Sequence, residues 1–327
     1  MIRSLKASDE RWPLAQPFVI SRGAKTEAHV VTVEITQAGA RGRGEAVPYP
    51  RFGESVEGVL GQIETVRDKV QSGCDRTELQ TLLPAGAARN ALDCALWDLE
   101  AKRTGTPAYV IAGRRRLDPV KTAYTISLGS PEAMADAARA AARRPMLKLK
   151  IGGGDDLDRV RAVREAAPRT RLIIDANEAF AFEDLAEIAG ELAALEVKLI
   201  EQPLPAGEDE ALEGFDSPVP LCADESLHTR ADLDAVARRY ACVNVKLDKA
   251  GGLTEALALA EAARARGLMT MAGSMLATSL AMAPAMILAQ GAEFVDLDGP
   301  LLLARDRRPG LVILGSMIEP PRPELWG

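Results

Sequence analysis

The sequence predicts an α/β protein, a barrel of parallel strands preceded by a smaller α+β unit. Three observations predict it. The chain of 327 residues opens with strand-like alternation and then turns to helical spacing. From Pro119 onward, eight short apolar runs alternate with Ala-rich amphipathic stretches. Five charged strings close these runs about 25 residues apart, the repeat of a strand-helix unit: Lys148-Leu149-Lys150, Asp175-Ala176-Asn177-Glu178, Glu201-Gln202-Pro203, Asp224-Glu225-Ser226 and Val245-Lys246-Leu247-Asp248. The length suits one barrel of roughly 250 residues plus a small partner and is short for three domains.

In the first unit, Pro17 to Ile20, Val30 to Ile35 and Gly42 to Val47 alternate as strands between Gly-containing turns. Ser55 to Val70 and Ala87 to Arg103 read as helices, the second ended by Gly105 and Pro107. Strands leading into helices mark an α+β unit distinct from the rest of the chain. In the second unit strands are expected at Lys121 to Ile126, Met146 to Ile151, Arg171 to Ile174, Val197 to Ile200, Val219 to Ala223, Ala241 to Val245, Leu268 to Met271 and Glu293 to Val295. Helices are expected at Pro131 to Arg143, Asp156 to Ala166, Ala181 to Leu195, Arg230 to Arg239, Thr254 to Arg266 and Ser279 to Ala289, with a brief one between Val197 and Val219. Eight strands joined by right-handed crossovers close most naturally into a barrel. The alternative, a doubly wound open sheet, needs a Gly-rich phosphate turn, for which Gly152-Gly153-Gly154 is the only candidate. It lacks GxGxxG spacing and a P-loop Lys-Ser/Thr, and reads as a flexible loop over the rim.

Composition narrows the function. With 40 basic against 47 acidic residues and no run of like charge longer than Arg114-Arg115-Arg116, neither nucleic acid nor a membrane surface is expected as the main partner. A small-molecule substrate is expected, and a homo-oligomer is left open. Met1 to Pro17 carry charges throughout with no apolar core of signal-peptide length, and no stretch of about 18 apolar residues occurs, so a cytoplasmic location is expected. Cys74, Cys94, Cys222 and Cys242 stand singly in apolar surroundings and read as reduced core residues. The only histidines, His29 and His228, are too few for a Ser/His/Asp triad or a His-rich zinc site, so acid/base work falls to Lys, Glu or Asp.

Residues two apart on a strand share a face, so Lys148 and Lys150 point the same way. A Lys-x-Lys strand alone is usually solvent-exposed; in a barrel strand covered by helices, that face is the interior. Crowding of two partly desolvated ammoniums is expected to lower their pKa toward neutrality, as a lysine base requires. Asp175, Glu201 and Asp224 come next, at intervals of 26 and 23 residues. Singly, each has an ordinary alternative as a cap, an Asx turn or a salt-bridge partner. Together they would repel unless a cation sat between them, and oxygen ligands without His or Cys favour Mg²⁺, with Mn²⁺ able to substitute. Lys246 ends the next strand and should face Lys150 across the cavity. A metal-bound carboxylate flanked by two lysines suits removal of the proton α to that carboxylate on one face and its return on the other.

These strings, in this order, resemble the enolase superfamily, muconate lactonizing enzyme subgroup. The resemblance implies a modified TIM barrel, (β/α)7β, with an N-terminal α+β capping domain. Its implied divisions are a capping domain over 1–115 with specificity loops near 18–26 and 48–54, a barrel over 116–300, and a tail over 301–327 that rejoins the capping domain. It also implies that Lys150 and Lys246 are the two acid/bases, that Lys148 is an electrostatic helper, and that Asp175, Glu201 and Asp224 hold one Mg²⁺ per subunit; a Lys or His base beside Mg²⁺ is the known pattern of the superfamily.

Three further strings resemble the bacterial L-Ala-D/L-Glu epimerases of that subgroup: Phe18-Val19-Ile20-Ser21-Arg22-Gly23, Pro84-Ala85-Gly86-Ala87-Ala88-Arg89-Asn90-Ala91-Leu92-Asp93 and Asp296-Leu297-Asp298-Gly299-Pro300. The resemblance covers nearly the whole chain and implies epimerisation of L-Ala-D-Glu and L-Ala-L-Glu at the Glu α-carbon, in recycling of murein peptides. Asp296 and Asp298 would take the dipeptide's free α-ammonium. Lys25 stands where many relatives carry Arg and would hold the Glu side-chain carboxylate, without the bidentate fork of Arg. Arg22 and Arg51 are the other candidates for that carboxylate, and Ser274 is a further substrate-binding residue. Open alternatives are a different dipeptide specificity, a cycloisomerase or o-succinylbenzoate synthase type of reaction, a Schiff-base aldolase using Lys150 or Lys246, and a non-catalytic scaffold.

Overall fold

The N-terminal sheet consists of β1 (Ser4–Ile20), β2 (Gly23–Gln37) and β3 (Ala40–Ala46), antiparallel in that order, in a computed structural model that describes residues 3–327. Helices α1 (Val56–Thr65), α2 (Arg67–Ser72), α3 (Arg76–Leu82), α4 (Ala87–Thr104) and α5 (Ala108–Ile111) come after it. Val31, Val33 and Ile35 of β2 meet Ala88, Ala91, Leu92 and Ala95 of α4 in a core of their own. The helix lies so close that a Cβ on Gly42 or Gly44 would stand 2.1 Å from a carbonyl oxygen of α4, so both strand positions require glycine.

Three expectations for this unit are corrected. β1 begins at Ser4 rather than Pro17: it is an edge strand with only Leu5 and Leu14 buried, and its register shifts between Pro13 and Phe18, so it lacks the apolar alternation that marks a strand. The helix expected from Ser55 to Val70 breaks at Val66 into α1 and α2. Helix α3, capped by Asp75 through the amides of Thr77 and Glu78 at 2.8 Å, lies outside the expected helices.

The run expected from Lys121 to Ile126 also divides. β4 (Val120–Lys121) leaves the barrel, whereas β5 (Tyr124–Ile126) enters it. The barrel continues through β6 (Met146–Lys150), β7 (Arg171–Asp175), β8 (Val197–Glu201), β9 (Leu221–Ala223), β10 (Cys242–Lys246), β11 (Met269–Gly273) and β12 (Phe294–Asp296), eight parallel strands in sequence order. It is near-closed, with Ala123 N donating to Val295 O at 2.8 Å and Leu297 N to Thr122 Oγ1 at 2.8 Å. The open-sheet alternative is thereby excluded.

The crossovers are α6 (Pro131–Ala141), α7 (Asp156–Ala166), α8 (Phe182–Ala194), a 3-10 turn at Asp209–Leu212, a second 3-10 turn leading into α9 (Leu233–Val236), α10 (Leu247–Ala250) with α11 (Leu253–Ala265), and α12 (Ser279–Leu288). The connection expected as a helix from Arg230 to Arg239 thus holds only two short turns. After β12 there is only the single turn α13 (Gly299–Leu302). The tail forms β13 (Ile313–Leu314) and β14 (Met317–Ile318), β14 pairing with β4, and buried Trp326 donates to Cys94 O in α4 at 3.0 Å. All four cysteines are buried and free, and among the described residues no helix is long and apolar enough to cross a membrane.

One apolar residue from each barrel strand or its first turn fills the floor: Ala123, Met146, Ile173, Leu199, Cys222, Cys242, Met271 and Phe294. The strand period of two then decides what lies above them. Two residues further along stand Thr125, Lys148, Asp175, Glu201, Asp224, Asn244, Gly273 and Asp296. A dry layer therefore supports a polar one, and every charged residue of that polar layer is buried.

Candidate active site

The polar layer is a lattice of lysines and carboxylates. Lys148 Nζ lies 2.6 Å from Glu201 Oε2, 2.8 Å from Asp296 Oδ2 and 3.0 Å from Asp175 Oδ2. Lys150 Nζ lies 2.6 Å from Asp175 Oδ2 and donates to Asn177 Oδ1 at 3.1 Å. Lys246 Nζ lies 2.6 Å from Asp224 Oδ2 and 3.9 Å from Glu201 Oε1. Lys249, to which the sequence assigned no role, is buried with Nζ 2.6 Å from Asp224 Oδ1 and donates to Asn244 O at 3.1 Å.

This lattice corrects the expected lysine electrostatics. Burial pulls the Lys148 and Lys246 pKa values down, but the surrounding carboxylates outweigh it and hold both above the ordinary lysine value. Conversely, burial raises Asp175 and Asp224, but the neighbouring ammoniums hold both below the usual carboxylate range. Glu201 differs: burial, with the charge of Asp175, pushes it up to about 7. The positive charges nearest these carboxylates are the ammoniums of Lys148, Lys150, Lys246 and Lys249.

Whether the carboxylates suit a metal is decided by their donor chemistry. Among the described residues, no three His, Cys, Asp or Glu side chains are gathered as a metal-holding group. Yet Glu201 Oε2 and Asp224 Oδ1 are buried and, although ion-paired, receive no well-directed hydrogen bond. An all-oxygen set with such acceptors fits a hard divalent cation.

Neighbouring groups aim the lattice. Asn244 Nδ2 donates to Glu201 Oε1 at 2.8 Å. Gln202 Oε1 accepts from the amides of Asp224 at 2.8 Å and Ser226 at 3.1 Å, fixing where β9 ends. Asn177, Glu178 and Gln202 have φ of 45°, 69° and 33°, so three non-glycine residues just beyond Asp175 and Glu201 occupy the left-handed region. Sequence reasoning passed over Asn244 and Gln202; the available signals were the position of Asn244 two residues past the floor residue Cys242 and that of Gln202 directly after Glu201.

Above the lattice lies a cavity of about 520 Å³, roofed by Phe18, Ile20, Tyr49 and Phe52 of the N-terminal unit. Lys148, Lys150, Asp224, Lys246, Ser274, Asp296 and Asp298 all line it, whereas Asp175 and Glu201 lie beneath. A larger depression of about 770 Å³ near Arg41 and Lys102 is remote from these groups. In the cavity wall, Asp298 Oδ2 accepts from Thr125 N at 2.6 Å, and burial beside Asp296 pushes its carboxyl up to about 7. Ser274 Oγ donates to Asp296 O at 3.2 Å.

The three basic candidates separate. Arg51 pairs bidentately with Glu178 at 2.8 and 2.7 Å. Arg22 pairs with Glu178 at 2.9 Å and Glu225 at 2.7 Å. Lys25 lines the cavity with its ammonium 4.9 Å from the Tyr49 ring centre and, among the described residues, has no carboxylate partner. Of the histidines, His29 meets Asp9 at 2.9 Å, and half-buried His228 stands edge-on to Phe52 within range of the charges of Lys249 and Asp224.

The chain resembles known proteins over nearly its whole length. Residues 2–113 match the mandelate racemase / muconate lactonizing enzyme N-terminal domain, and residues 132–316 the enolase C-terminal domain-like family. The chain is 49% identical to L-Ala-D/L-Glu epimerase of Escherichia coli K12 over 312 residues, covering 95% of this chain and 97% of that one. It is 45% identical to N-acetyl-D-glutamate racemase of a Pseudoalteromonas species over 306 residues, covering 91% and 95%. Among solved structures, an enolase family member from Agrobacterium tumefaciens with homology to dipeptide epimerases, bound to sodium and L-Ala-L-Glu, superposes with a TM-score of 0.98 at 53% identity, covering 99% of this chain and 100% of that one.

Proposed function

Because this chain belongs to the mandelate racemase / muconate lactonizing enzyme group of the enolase superfamily, we propose that it is a dipeptide epimerase that interconverts L-Ala-D-Glu and L-Ala-L-Glu. The observation that carries the reading is that Lys150 and Lys246 line one cavity from strands half a barrel apart. An α-carbon held between them can give its proton to the neutral amine of one lysine, leaving a planar carbanion, and take a proton on the opposite face from the ammonium of the other, which inverts it.

Asp175, Glu201 and Asp224 would hold Mg²⁺, which when bound would supply positive charge to the substrate carboxylate as the α-proton leaves. Lys148, already within ion-pair reach of three carboxylates, adds positive charge beside the same place. Asp298 and Asp296 would receive the dipeptide's α-ammonium, and Lys25, which has no carboxylate partner among the described residues, the distal carboxylate. The roof of Phe18, Ile20, Tyr49 and Phe52 excludes water from the reacting carbon. L-Ala-D-Glu is a fragment of murein, so the proposed role is recycling of cell-wall peptides.

A second reading, racemisation of an N-acylated glutamate, is favoured by the 45% relative. Such a substrate carries no ammonium, so Asp298→Asn separates the two: it should impair turnover of the dipeptide and spare that of N-acetylglutamate. The primary test is incorporation of deuterium at the Glu α-carbon of L-Ala-D-Glu in D₂O. A protein that exchanges N-acetylglutamate and leaves the dipeptide untouched contradicts the epimerase reading.

A further inference from the structure

Two of the arginines expected to meet substrate are held by the protein itself, and both by one residue. Glu178 stands on the barrel rim with its side chain 7% exposed. Its Oε1 accepts from Arg51 Nη2 at 2.7 Å and Ala206 N at 2.8 Å; its Oε2 accepts from Arg51 Nε at 2.8 Å and Arg22 Nη1 at 2.9 Å. Arg22 comes from the turn between β1 and β2, and Arg51 from the 3-10 turn Pro50–Phe52. Two separate loops of the N-terminal unit thus converge on a single barrel carboxylate.

The seat for that carboxylate is built. Glu178 and Asn177 both take positive φ, and the Glu178 amide donates to Gln202 O at 2.9 Å, which fixes where the side chain leaves the rim. The β1–β2 turn has a second hold on the rim, because Ser21 packs so closely on Gly152 that a Cβ there would lie 2.7 Å from Ser21 Cβ. A bidentate guanidinium–carboxylate pair fixes direction as well as distance.

We infer that Glu178 is the barrel-side anchor of both loops. It is a positioning residue: it holds the roof over the cavity and, by engaging Arg51 and, together with Glu225, Arg22, leaves Lys25 as the cation presented to the far end of the substrate. Neutralising it leaves Arg51 without a carboxylate partner among the described residues and leaves Arg22 with Glu225 alone. The part concerning Lys25 rests on the proposed epimerase function, whereas the anchoring of the loops does not.

The test uses the full-length protein without ligand, with hydrogen exchange measured over residues 18–26 and 48–54. Glu178→Gln should accelerate exchange about tenfold in both segments while barrel-strand amides keep their protection, as expected when a local opening loses its closing contact. Arg51→Ala, an exposed change that preserves the core, should accelerate 48–54 and leave 18–26 as it was. Unchanged exchange of 48–54 in Arg51→Ala, or of both segments in a folded Glu178→Gln, overturns the anchor.

Substrate kinetics test the second part. The KM penalty of Lys25→Ala on L-Ala-D-Glu should shrink at least about threefold in the Glu178→Gln background, because the released Arg51 then reaches the same carboxylate. An equal penalty in both backgrounds overturns the withholding of Arg51. Absence of any penalty in either background overturns the substrate reading of Lys25 and leaves the exchange result standing.

Discussion

Lys150 at the end of β6 and Lys246 at the end of β10 stand four strands apart in an eight-strand order, so they reach the cavity from opposite walls. Each is tied to a different carboxylate, Lys150 to Asp175 and Lys246 to Asp224, both at 2.6 Å. The separation suits the proposed two-base inversion, in which one lysine works from each side of the α-carbon.

Lys150→Ala and Lys246→Ala should each lower epimerisation by roughly 10²–10⁴-fold, the usual contribution of a positioned acid/base. Each should also abolish deuterium exchange from one epimer of L-Ala-Glu while the other still exchanges. Mass spectrometry of the two epimers incubated separately in D₂O reads this directly. Parental interconversion by either single variant would remove the two-base proposal.

Treatment with EDTA should stop turnover, and Mg²⁺ or Mn²⁺ should restore it. The same addition should raise thermal stability, because a cation that binds only the folded carboxylates contributes about 2.7 kcal/mol at a hundred times its dissociation constant. Calorimetry with and without Mg²⁺ gives a readout independent of activity. Recovery with Zn²⁺ alone would contradict the oxygen-donor argument.

Lys25→Ala should reduce kcat/KM on L-Ala-D-Glu by roughly 10–100-fold, the worth of one charge-assisted hydrogen bond of about 1.5–3 kcal/mol. Lys25→Arg should retain or improve it, and a dipeptide with a neutral second side chain should be little affected by either change. Equal losses on acidic and neutral dipeptides would show that Lys25 does not read the distal carboxylate.

Asp248 joins the two units, its Oδ1 accepting from Val47 N and Asn90 Nδ2, each at 2.9 Å. Burial raises its pKa from the ordinary 3.8 to about 7. The folded state therefore binds its proton more tightly than the unfolded state, so the stability it contributes is present below about 3.8 and is lost as pH rises through about 7. Asp248→Asn keeps the acceptor and removes the buried charge. The difference in Tm, variant minus parent, should accordingly increase between pH 4 and pH 8; a difference independent of pH would refute it.

Much of the site is legible along the chain because a strand repeats every two residues and a barrel repeats its unit. Lys148 and Lys150 share a face by that rule, and Asp175, Glu201 and Asp224 fall at the ends of successive apolar runs. The floor of Met146, Ile173, Leu199 and Cys222 lies two residues before four of these site residues, so the apolar and polar layers are encoded in the same strands. Element boundaries are less legible where burial is one-sided or the backbone is short of apolar residues, as in β1 and the two short turns before β10.

Partner choice has a different origin. Lys148 and Asp296 are 148 residues apart in sequence and 2.8 Å apart in space, and no local pattern states which of several carboxylates a lysine will meet. The expected lowering of the lysine pKa reverses at Lys148 for the same reason: its neighbour in Lys-x-Lys is visible along the chain, whereas the carboxylates that outweigh burial come from other strands. Arg22, Lys25 and Arg51 are alike as cations near the capping loops until folding brings Glu178 and Glu225 to two of them. Periodicity is encoded between neighbours and survives in the sequence; the charge, partner and availability of a buried side chain depend on distances that exist only after the chain has closed on itself.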